Sequence, residues 1–297
     1  MDAEIMNQHY QTISTDVAYI EPRYKQTVAT GNTDTFTETH IYQLLHQLKK
    51  TATGLDRLPS WFLRLGAPIF AEHLTYLFNR SLHEGIVPEQ WRTAYIRPVP
   101  KIPTPAGPVD FRPISVTPVL SRIFERVIVK QFLYPAMLDP PIELSFEDQF
   151  AFRPAGSCTA AIIALLHTVS TMLLENPYVI VIALDFSKAF DTVRHSALAK
   201  KLSILDMPDS VYNWMVDFLV QHEHCTVFEG NVSSTVRVNS SVIQGSVIGP
   251  GSYDVAASDL HPVVEGNKLV KFADDLTLII PARNLETRQT ELNNIKS

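Results

Sequence analysis

The chain has 297 residues, of which 45% are hydrophobic, so it is long enough to bury a core in one or two domains. Its two cysteines provide no disulfide framework and residues 1–10 show no secretory signal, so we expect a reducing, intracellular location. The net charge of −6 lacks the basic excess that is usual in nucleic-acid-binding proteins, although the distribution of charge matters more than its sum.

The chain begins with a polar segment and then turns helical. Residues 1–36 have no sustained apolar period, so we expect a linker remnant or a disordered tail, with a short docking arm as the alternative. Apolar side chains recur at helical spacing in residues 41–48, and Thr37 or Thr39 precedes them as a possible cap. The first predicted helix therefore follows the polar segment directly.

Core helices and a strand are predicted next. Residues 61–83 predict one or two helices, broken near 66–68 where glycine and proline interrupt the apolar period. Trp91 is interpreted as a core anchor rather than as a base-stacking residue. The alternation in residues 93–100 predicts a strand whose prolines indicate a sheet edge or a strand end, and Lys101 follows it.

Residues 117–138 predict a long amphipathic helix with Glu125 on its solvated face. Ser157 is the predicted cap of the helix that follows. The β-branched run 179–184 is too short to span a membrane and predicts a strand buried on both faces. Asp185 ends this strand, where a catalytic acid is commonly found.

Two helices are predicted at 193–205 and 208–221, and a β-hairpin is predicted at 225–238. The sequence His-Glu-His-Cys at 222–225 resembles a metal cluster. It lacks further ligands at zinc-like spacing, so we do not interpret it as a metal site.

Residues 269–280 predict two short strands joined by a tight turn that holds Asp274 and Asp275. Adjacent carboxylates are rare in strands because both charges must be desolvated side by side. Mg²⁺ usually takes one or two carboxylates plus substrate phosphates. We therefore predict that Asp185, Asp274 and Asp275 converge on a catalytic site for two Mg²⁺ ions, or for Mn²⁺ in their place, suited to in-line phosphoryl transfer.

Five segments, taken in order, resemble the motifs of reverse transcriptases, and in particular those of non-LTR (LINE-type) retrotransposons. They are Phe-Arg-Pro-Ile-Ser (111–115), Gln-Phe-Ala-Phe-Arg (149–153), Asp-Phe-Ser-Lys-Ala-Phe-Asp-Thr-Val-Arg-His (185–195), Gln-Gly-Ser-Val-Ile-Gly-Pro (244–250) and Phe-Ala-Asp-Asp (272–275). The resemblance implies an α/β right-hand polymerase fold with an antiparallel palm sheet. Fingers would occupy residues 37–178 and the palm residues 179–297, truncated after the Asp-Asp hairpin so that the thumb is missing.

The resemblance also implies roles in nucleotide binding. Lys101 and Arg112 match the pair that holds the triphosphate, for which a point charge and a planar fork are suited. Phe190 matches the aromatic residue that packs beneath the sugar and excludes a 2′-hydroxyl, with an ordinary core residue as the alternative. The other implied nucleotide-binding positions are Phe186, Gln244 and Gly245.

For four further residues we predict less specific roles. Arg153 either contacts phosphates of the template and primer or braces its own loop. Lys188 and Asp191 are interpreted as structural, as an ion pair or a cap. Lys271 is expected at the surface or on a backbone phosphate.

Two positions depart from the family pattern. Ile243 stands where relatives usually have proline, and Gly251-Ser252 replace an apolar pair that starts the next helix. These departures weaken the prediction of that helix and of activity, but they leave the carboxylates intact.

The implied function is RNA-directed DNA polymerisation in a LINE-like element, with an RNA template, a DNA primer and deoxynucleoside triphosphates. One alternative is another palm polymerase, either an intron maturase or an RNA-dependent RNA polymerase; Phe190 argues against the latter. The other is a degenerate domain that binds nucleic acid without catalysis. We expect a truncated core that binds nucleotide and Mg²⁺ but, alone, extends a primer poorly. From the family we expect the protein in the cytoplasm and nucleus, without a membrane partner.

Overall fold

A computed structural model describes residues 2–27 and 35–296 as two β-sheets surrounded by helices. The helices are α1 (Ala3–Ile13), α2 (Glu38–His46), α3 (Ser60–Leu65), α4 (Ala67–Glu84), α5 (Val119–Ile128), α6 (Tyr134–Leu138), α7 (Cys158–Leu173), α8 (His195–Ile204), α9 (Asp209–Val220), α10 (Ile248–Ala256) and α11 (Arg288–Lys296). The strands are β1 (Thr93–Pro100), β2 (Phe111–Val116), β3 (Val179–Asp185), β4 (Glu223–Phe228), β5 (Asn231–Val232), β6 (Val236–Arg237), β7 (Lys268–Phe272) and β8 (Asp275–Pro281). Across the described ranges, no helix has both the length and the apolar character needed to cross a bilayer.

The N-terminal segment contains a docked helix, so the expected disordered tail is wrong for α1. Asp2 caps α1 by accepting a hydrogen bond from the Ile5 N–H at 2.9 Å. Met6 and Tyr10 lie on one face of the helix and are buried. The alternative prediction, a short docking arm, describes this helix. The apolar face of α1 was missed because residues 1–36 were assessed together as one polar segment. The predicted tail also includes residues 28–34, which lie outside the described residues.

The following helices agree with the sequence prediction and close on an aromatic core. α2 begins after Thr37, whose hydroxyl accepts a backbone N–H from the first turn, and Gly66 separates α3 from α4. The rings of Phe78 and Phe124 stack 4.6 Å apart, and Trp91 meets them edge-on at 5.7 and 5.9 Å. Trp91 is buried, which confirms its interpretation as a core anchor.

The first sheet joins strands from both sides of the predicted boundary between fingers and palm. Its order is β2-β1-β4-β5, and β6 also pairs with β4. β1 and β2 are antiparallel, with Tyr95 opposite Val116, whereas β1 and β4 run parallel, with Thr93 opposite Glu223. The parallel pairing ends at Ile96, so the prolines of β1 lie where the strand has become an edge.

The second sheet has the order β3-β8-β7, with antiparallel pairs throughout. Ile180, Ile182 and Leu184 of the edge strand β3 pack into a core with Leu278, whereas Val181 on the other face is 47% exposed. The prediction that this strand is buried on both faces is therefore wrong. A continuous apolar run is compatible with one covered face, and only the packing of neighbouring elements decides how many faces are covered.

The long helix predicted at 117–138 consists of α5, a π-helical turn (Val129–Leu133) and α6 in direct succession. Glu125 was expected on its solvated face but is fully buried. Its carboxylate accepts hydrogen bonds from the N–H groups of Val247 at 2.7 Å and Ile248 at 3.2 Å. Glu125 therefore ties α5 to the first turn of α10, because a helix leaves its first N–H groups without intrahelical partners.

The helix after the Gln-Gly motif forms as α10, although Gly251 and Ser252 had weakened its prediction. A Cβ on Gly251 would lie 2.7 Å from Cδ2 of Leu133, which is itself fully buried. The glycine thus lets α10 approach the π-helical turn closely. Ser252, the next residue of α10, is also buried.

Candidate active site

The β7–β8 hairpin presents Asp274 and Asp275 at its tip, as the sequence predicted. β7 ends at Phe272, which is the register partner of Asp275. Ala273 adopts the left-handed conformation with φ +56°, which turns the chain between the two strands. The side-chain oxygen of Gln149 accepts a hydrogen bond from the Ala273 N–H at 3.2 Å, so the loop before α7 braces this turn.

Asp185 and Asp274 line one cavity of about 430 Å³. Asp185 ends β3 directly opposite Asp275 in the register of β3 and β8. The other predicted site residues that line the cavity are Lys101, Arg112, Phe186, Phe190 and Gln244. Carboxylates and cationic side chains therefore surround a space of the size that small-molecule sites have.

Asp275 is exposed and lies outside the lining of this cavity. Across residues 2–27 and 35–296, no group of three or more His, Cys, Asp or Glu residues is arranged to hold a metal ion. The structure brings Asp185 and Asp274 to one cavity and pairs Asp185 with Asp275 across the β3–β8 register, and the convergence of all three on one metal site stays a prediction. Asp185 and Asp274 alone still fit Mg²⁺, which needs only one or two carboxylates when substrate phosphates complete its shell.

Phe190 both lines the cavity and packs on the core. Its ring stacks on Tyr253 at 4.6 Å with 15° between the planes, and it meets Phe152 edge-on at 6.1 Å. The two interpretations of Phe190 are thus compatible, since one side of the ring is packed while the residue still borders the cavity. The tight stacking leaves the ring little freedom to move aside for a bulkier sugar.

Gly245 fixes the backbone beside Gln244. The carbonyl of Gln244 accepts a hydrogen bond from the Ser115 N–H at 2.8 Å, which ties the motif to β2. Gly245 has φ +112°, and a Cβ there would lie 2.3 Å from the Ser115 carbonyl oxygen. Only glycine fits this approach, so Gly245 positions Gln244 in the wall although it does not line the cavity itself.

Lys101 and Arg112 come together because the β1–β2 hairpin pairs Pro100 with Phe111. The Lys101 ammonium group donates to the Val109 carbonyl at 2.9 Å, and both cations border the cavity. Arg153 lies elsewhere. Its guanidinium donates to the Phe146 carbonyl, so the structure supports the loop-bracing role for Arg153.

A sequence profile described as "Reverse transcriptase (RNA-dependent DNA polymerase)" matches residues 99–296. The chain belongs to the reverse transcriptase family. The expectations of a LINE-type reverse transcriptase domain and of an α/β polymerase fold are thereby confirmed.

Curated relatives carry the same description. The chain is 29% identical to the "RNA-directed DNA polymerase from mobile element jockey" of Drosophila melanogaster, over 80% of this chain and 26% of that protein. It is 30% identical to the "Probable RNA-directed DNA polymerase from transposon X-element" of the same organism, over 71% of this chain and 23% of that protein. The chain therefore spans about a quarter of the length of these relatives. A solved structure of apo telomerase from Candida tropicalis matches with a TM-score of 0.47 and 14% identity, over 76% of this chain and 46% of that one.

Lys271 of this reverse transcriptase is buried, so its predicted place at the surface or on a phosphate is wrong. Its ammonium group lies 2.9 Å from Oδ1 of Asp148 and donates to the carbonyls of Ala257 and Leu260 at 3.0 Å each. Burial lowers the pKa of Lys271, while the charge of Asp148 opposes that shift. Lys271 thus fastens the β7–β8 hairpin to the segment after α10.

Lys188 and Asp191, for which an ion pair or a cap was expected, are joined by a tight backbone turn. The Asp191 N–H donates to the Lys188 carbonyl at 2.9 Å, and Lys188 has φ +58°. No ion pair joins their side chains within the described ranges, yet both line the cavity of the reverse transcriptase. Burial raises the pKa of Asp191, and the charges of Lys188 and Lys101 partly oppose the rise.

Two groups of site residues escaped the sequence reasoning. Burial raises the pKa of Tyr253, and the charges of Asp274, Asp254 and Asp185 raise it further, so Tyr253 is electrostatically coupled to Asp185 and Asp274, which line the cavity. The sequence signal that could have identified Tyr253 is its position in α10, just after the Gln-Gly motif. The second group consists of His9, Tyr10 and Ile13 of α1, which line the cavity from a segment with no motif.

Proposed function

We propose that the chain catalyses RNA-templated DNA synthesis, the transfer of a deoxynucleotide to the 3′-hydroxyl of a DNA primer. The primer oxygen attacks the α-phosphorus of the triphosphate, the bond to the bridging oxygen breaks, and pyrophosphate leaves. The observation that carries this proposal is one cavity bordered by Asp185 and Asp274 together with Lys101 and Arg112. Charge that gathers on phosphoryl oxygens in the transition state needs cations positioned in advance.

Four of the lining residues have a task in nucleotide binding in this proposal. Lys101 and Arg112 bind the triphosphate, the lysine as a point charge and the arginine as a fork. Phe190, held against Tyr253, supports the sugar and leaves no space for a 2′-hydroxyl. Gln244 lies on the wall beside them, with its backbone tied to Ser115.

Asp185 and Asp274 would hold two Mg²⁺ ions, with Asp275 as an outer ligand or as a group that orients Asp274. When bound, such ions clamp the attacking and leaving oxygens and neutralise developing charge. The proposed template is RNA and the proposed substrates are deoxynucleoside triphosphates, in keeping with the names of the relatives. An intracellular place of action stays a prediction.

The proposal is tested by single-nucleotide addition to a DNA primer on an RNA template, with Mg²⁺ and one labelled deoxynucleotide. Asp185→Asn and Asp274→Asn should each lower the addition rate roughly a hundredfold or more, since a lost transition-state contact of this kind costs that much. Asp206→Asn is the matched control, because Asp206 is an exposed carboxylate outside the cavity.

Two results would contradict the proposal. One is addition by Asp185→Asn within a few fold of the control. The other is a parent chain that binds the primed template and nucleotide but adds nothing in either Mg²⁺ or Mn²⁺, which would favour a non-catalytic nucleic-acid-binding domain. Addition of ribonucleotides in preference to deoxynucleotides would point instead to an RNA polymerase.

A further inference from the structure

Helix α1 is fastened to the first sheet by a set of specific polar contacts. The Asn7 side-chain NH₂ group donates to the Ser234 carbonyl at 3.0 Å. Its side-chain oxygen lies 3.0 Å from Nδ1 of His224 and accepts a hydrogen bond from the Thr226 hydroxyl at 2.9 Å, both on β4. Glu4 accepts from both the N–H and the hydroxyl of Ser234, at 2.9 and 2.7 Å. Asn7 is fully buried, so these contacts hold α1 in one orientation.

This orientation directs His9 into the cavity that holds the catalytic carboxylates. His9, Lys101 and Lys188 all line that cavity. Burial lowers the pKa of His9, and the charges of Lys188 and then Lys101 lower it further, so the three side chains are close in space. Neither the imidazole of His9 nor the ammonium group of Lys188 makes a hydrogen bond or ion pair with the rest of the described chain.

Tyr10 gives a second sign that this wall of the cavity is built from α1. Its side chain is buried, and its hydroxyl has no hydrogen-bond partner in the described ranges. The residue lines the main cavity and also a small adjoining cavity of about 30 Å³, which Asp191, His222 and His224 border as well. A buried polar group without a protein partner usually meets water or ligand, which marks this side of the cavity as polar space.

We propose that His9 donates a hydrogen bond to the polyphosphate of the incoming nucleotide and that α1 closes this side of the nucleotide site. The inference rests on the proposed function, because it takes the cavity to be the nucleotide site. Phosphate oxygens are acceptors only, and His9 borders the same cavity as the cationic donors Lys101, Arg112 and Lys188. A neutral imidazole adds an N–H donor without adding to the repulsion among the cations.

The test measures dissociation constants at pH 7 for inorganic tripolyphosphate, dATP and deoxyadenosine, each with the chain and its variants. His9→Ala should weaken tripolyphosphate and dATP roughly tenfold, the loss expected for one hydrogen bond to a charged group. It should leave deoxyadenosine unchanged, and His9→Gln, which keeps an amide N–H, should restore much of the affinity. Gln8→Ala is the control, since Gln8 is the exposed neighbour on the same helix.

The same titrations include Lys101→Ala, so that failure of the inference is separable from failure of the proposed function. If Lys101→Ala weakens tripolyphosphate binding while His9→Ala matches Gln8→Ala, the role of His9 is overturned and the nucleotide site stands. If neither the parent nor any variant binds tripolyphosphate, the nucleotide site itself is wrong and the inference falls with it. If His9→Ala weakens binding of a primed template but not of tripolyphosphate, the phosphates it contacts belong to nucleic acid, which also overturns the proposal. Unfolding curves of each variant verify that α1 still docks.

Discussion

Replacing Glu125 tests the connection between α5 and α10 that the sequence did not indicate. The carboxylate accepts from the Val247 and Ile248 N–H groups and from the Ser121 hydroxyl, the last at 2.8 Å. Glu125→Ala leaves both backbone N–H groups without an acceptor at the buried start of α10. At about 1.5 kcal/mol for each orphaned donor, the free energy of unfolding should fall by about 3 kcal/mol.

Glu125→Gln separates the hydrogen bonds from the charge. The amide oxygen can accept from Val247 and Ile248 while its NH₂ group donates to Ser121, so we expect a loss below about 1 kcal/mol at pH 7. Burial raises the pKa of Glu125 above its ordinary value of 4.5, and the three hydrogen bonds only partly oppose that shift. A carboxyl with a raised pKa contributes stability that is complete below 4.5 and is lost as pH rises through the folded-state value. The free energy of unfolding of Glu125→Gln, relative to that of the parent chain, should therefore increase as pH rises above 4.5.

The assay is urea unfolding followed by circular dichroism, at several pH values from 4 upward. Glu72→Ala is the matched control, because Glu72 is an exposed glutamate inside α4, and it should change stability by less than about 0.5 kcal/mol. A Glu125→Ala variant as stable as Glu72→Ala would refute the reasoning. A Gln variant whose difference from the parent does not change with pH would refute the charge argument alone.

Three further substitutions test the site and its supports. Lys271→Met should lower the free energy of unfolding by about 3 kcal/mol, because Asp148 loses its buried cation, whereas Lys268→Met on the exposed end of β7 should change it little in the same urea titration. Phe190→Val should admit ribonucleotides in primer extension because the cavity beneath the sugar opens, and unchanged discrimination would return Phe190 to a purely structural role. Gly245→Ala should lower the rate of nucleotide addition at least tenfold, because the new methyl group would clash with the Ser115 carbonyl and move Gln244 away from Ser115. Gly230→Ala is the control and should leave the rate unchanged, because Gly230 also has a positive φ but has open space around it.

Much of the local structure could be predicted because it depends on neighbours in sequence. The break at Gly66, the caps at Thr37 and Ser157, and the Asp-Asp hairpin all follow from spacing, capping oxygens and turn chemistry. The motif order likewise predicted which side chains border the cavity, since Asp185 and Asp274 need only the strand ends that carry them. The predicted third carboxylate, Asp275, lies opposite Asp185 in the register of β3 and β8 but outside the lining of that cavity, so its part in the site stays a prediction.

The burial and the partners of several polar side chains depended on tertiary contacts that local sequence does not encode. Glu125 has the spacing of a solvated helix position, yet the two backbone N–H groups that it accepts from lie more than a hundred residues away, with 122 positions separating it from Val247. Lys271 alternates with apolar residues in a manner typical of an exposed charge, but Asp148 and two carbonyls of the segment after α10 enclose its ammonium group. The motifs, the family and most of the helices and strands could be read from the sequence, whereas helix α1 could not. The burial of polar side chains and the position of α1 at the cavity wall depended on elements distant in sequence. Desolvation and hydrogen bonding arise only where such elements pack against each other.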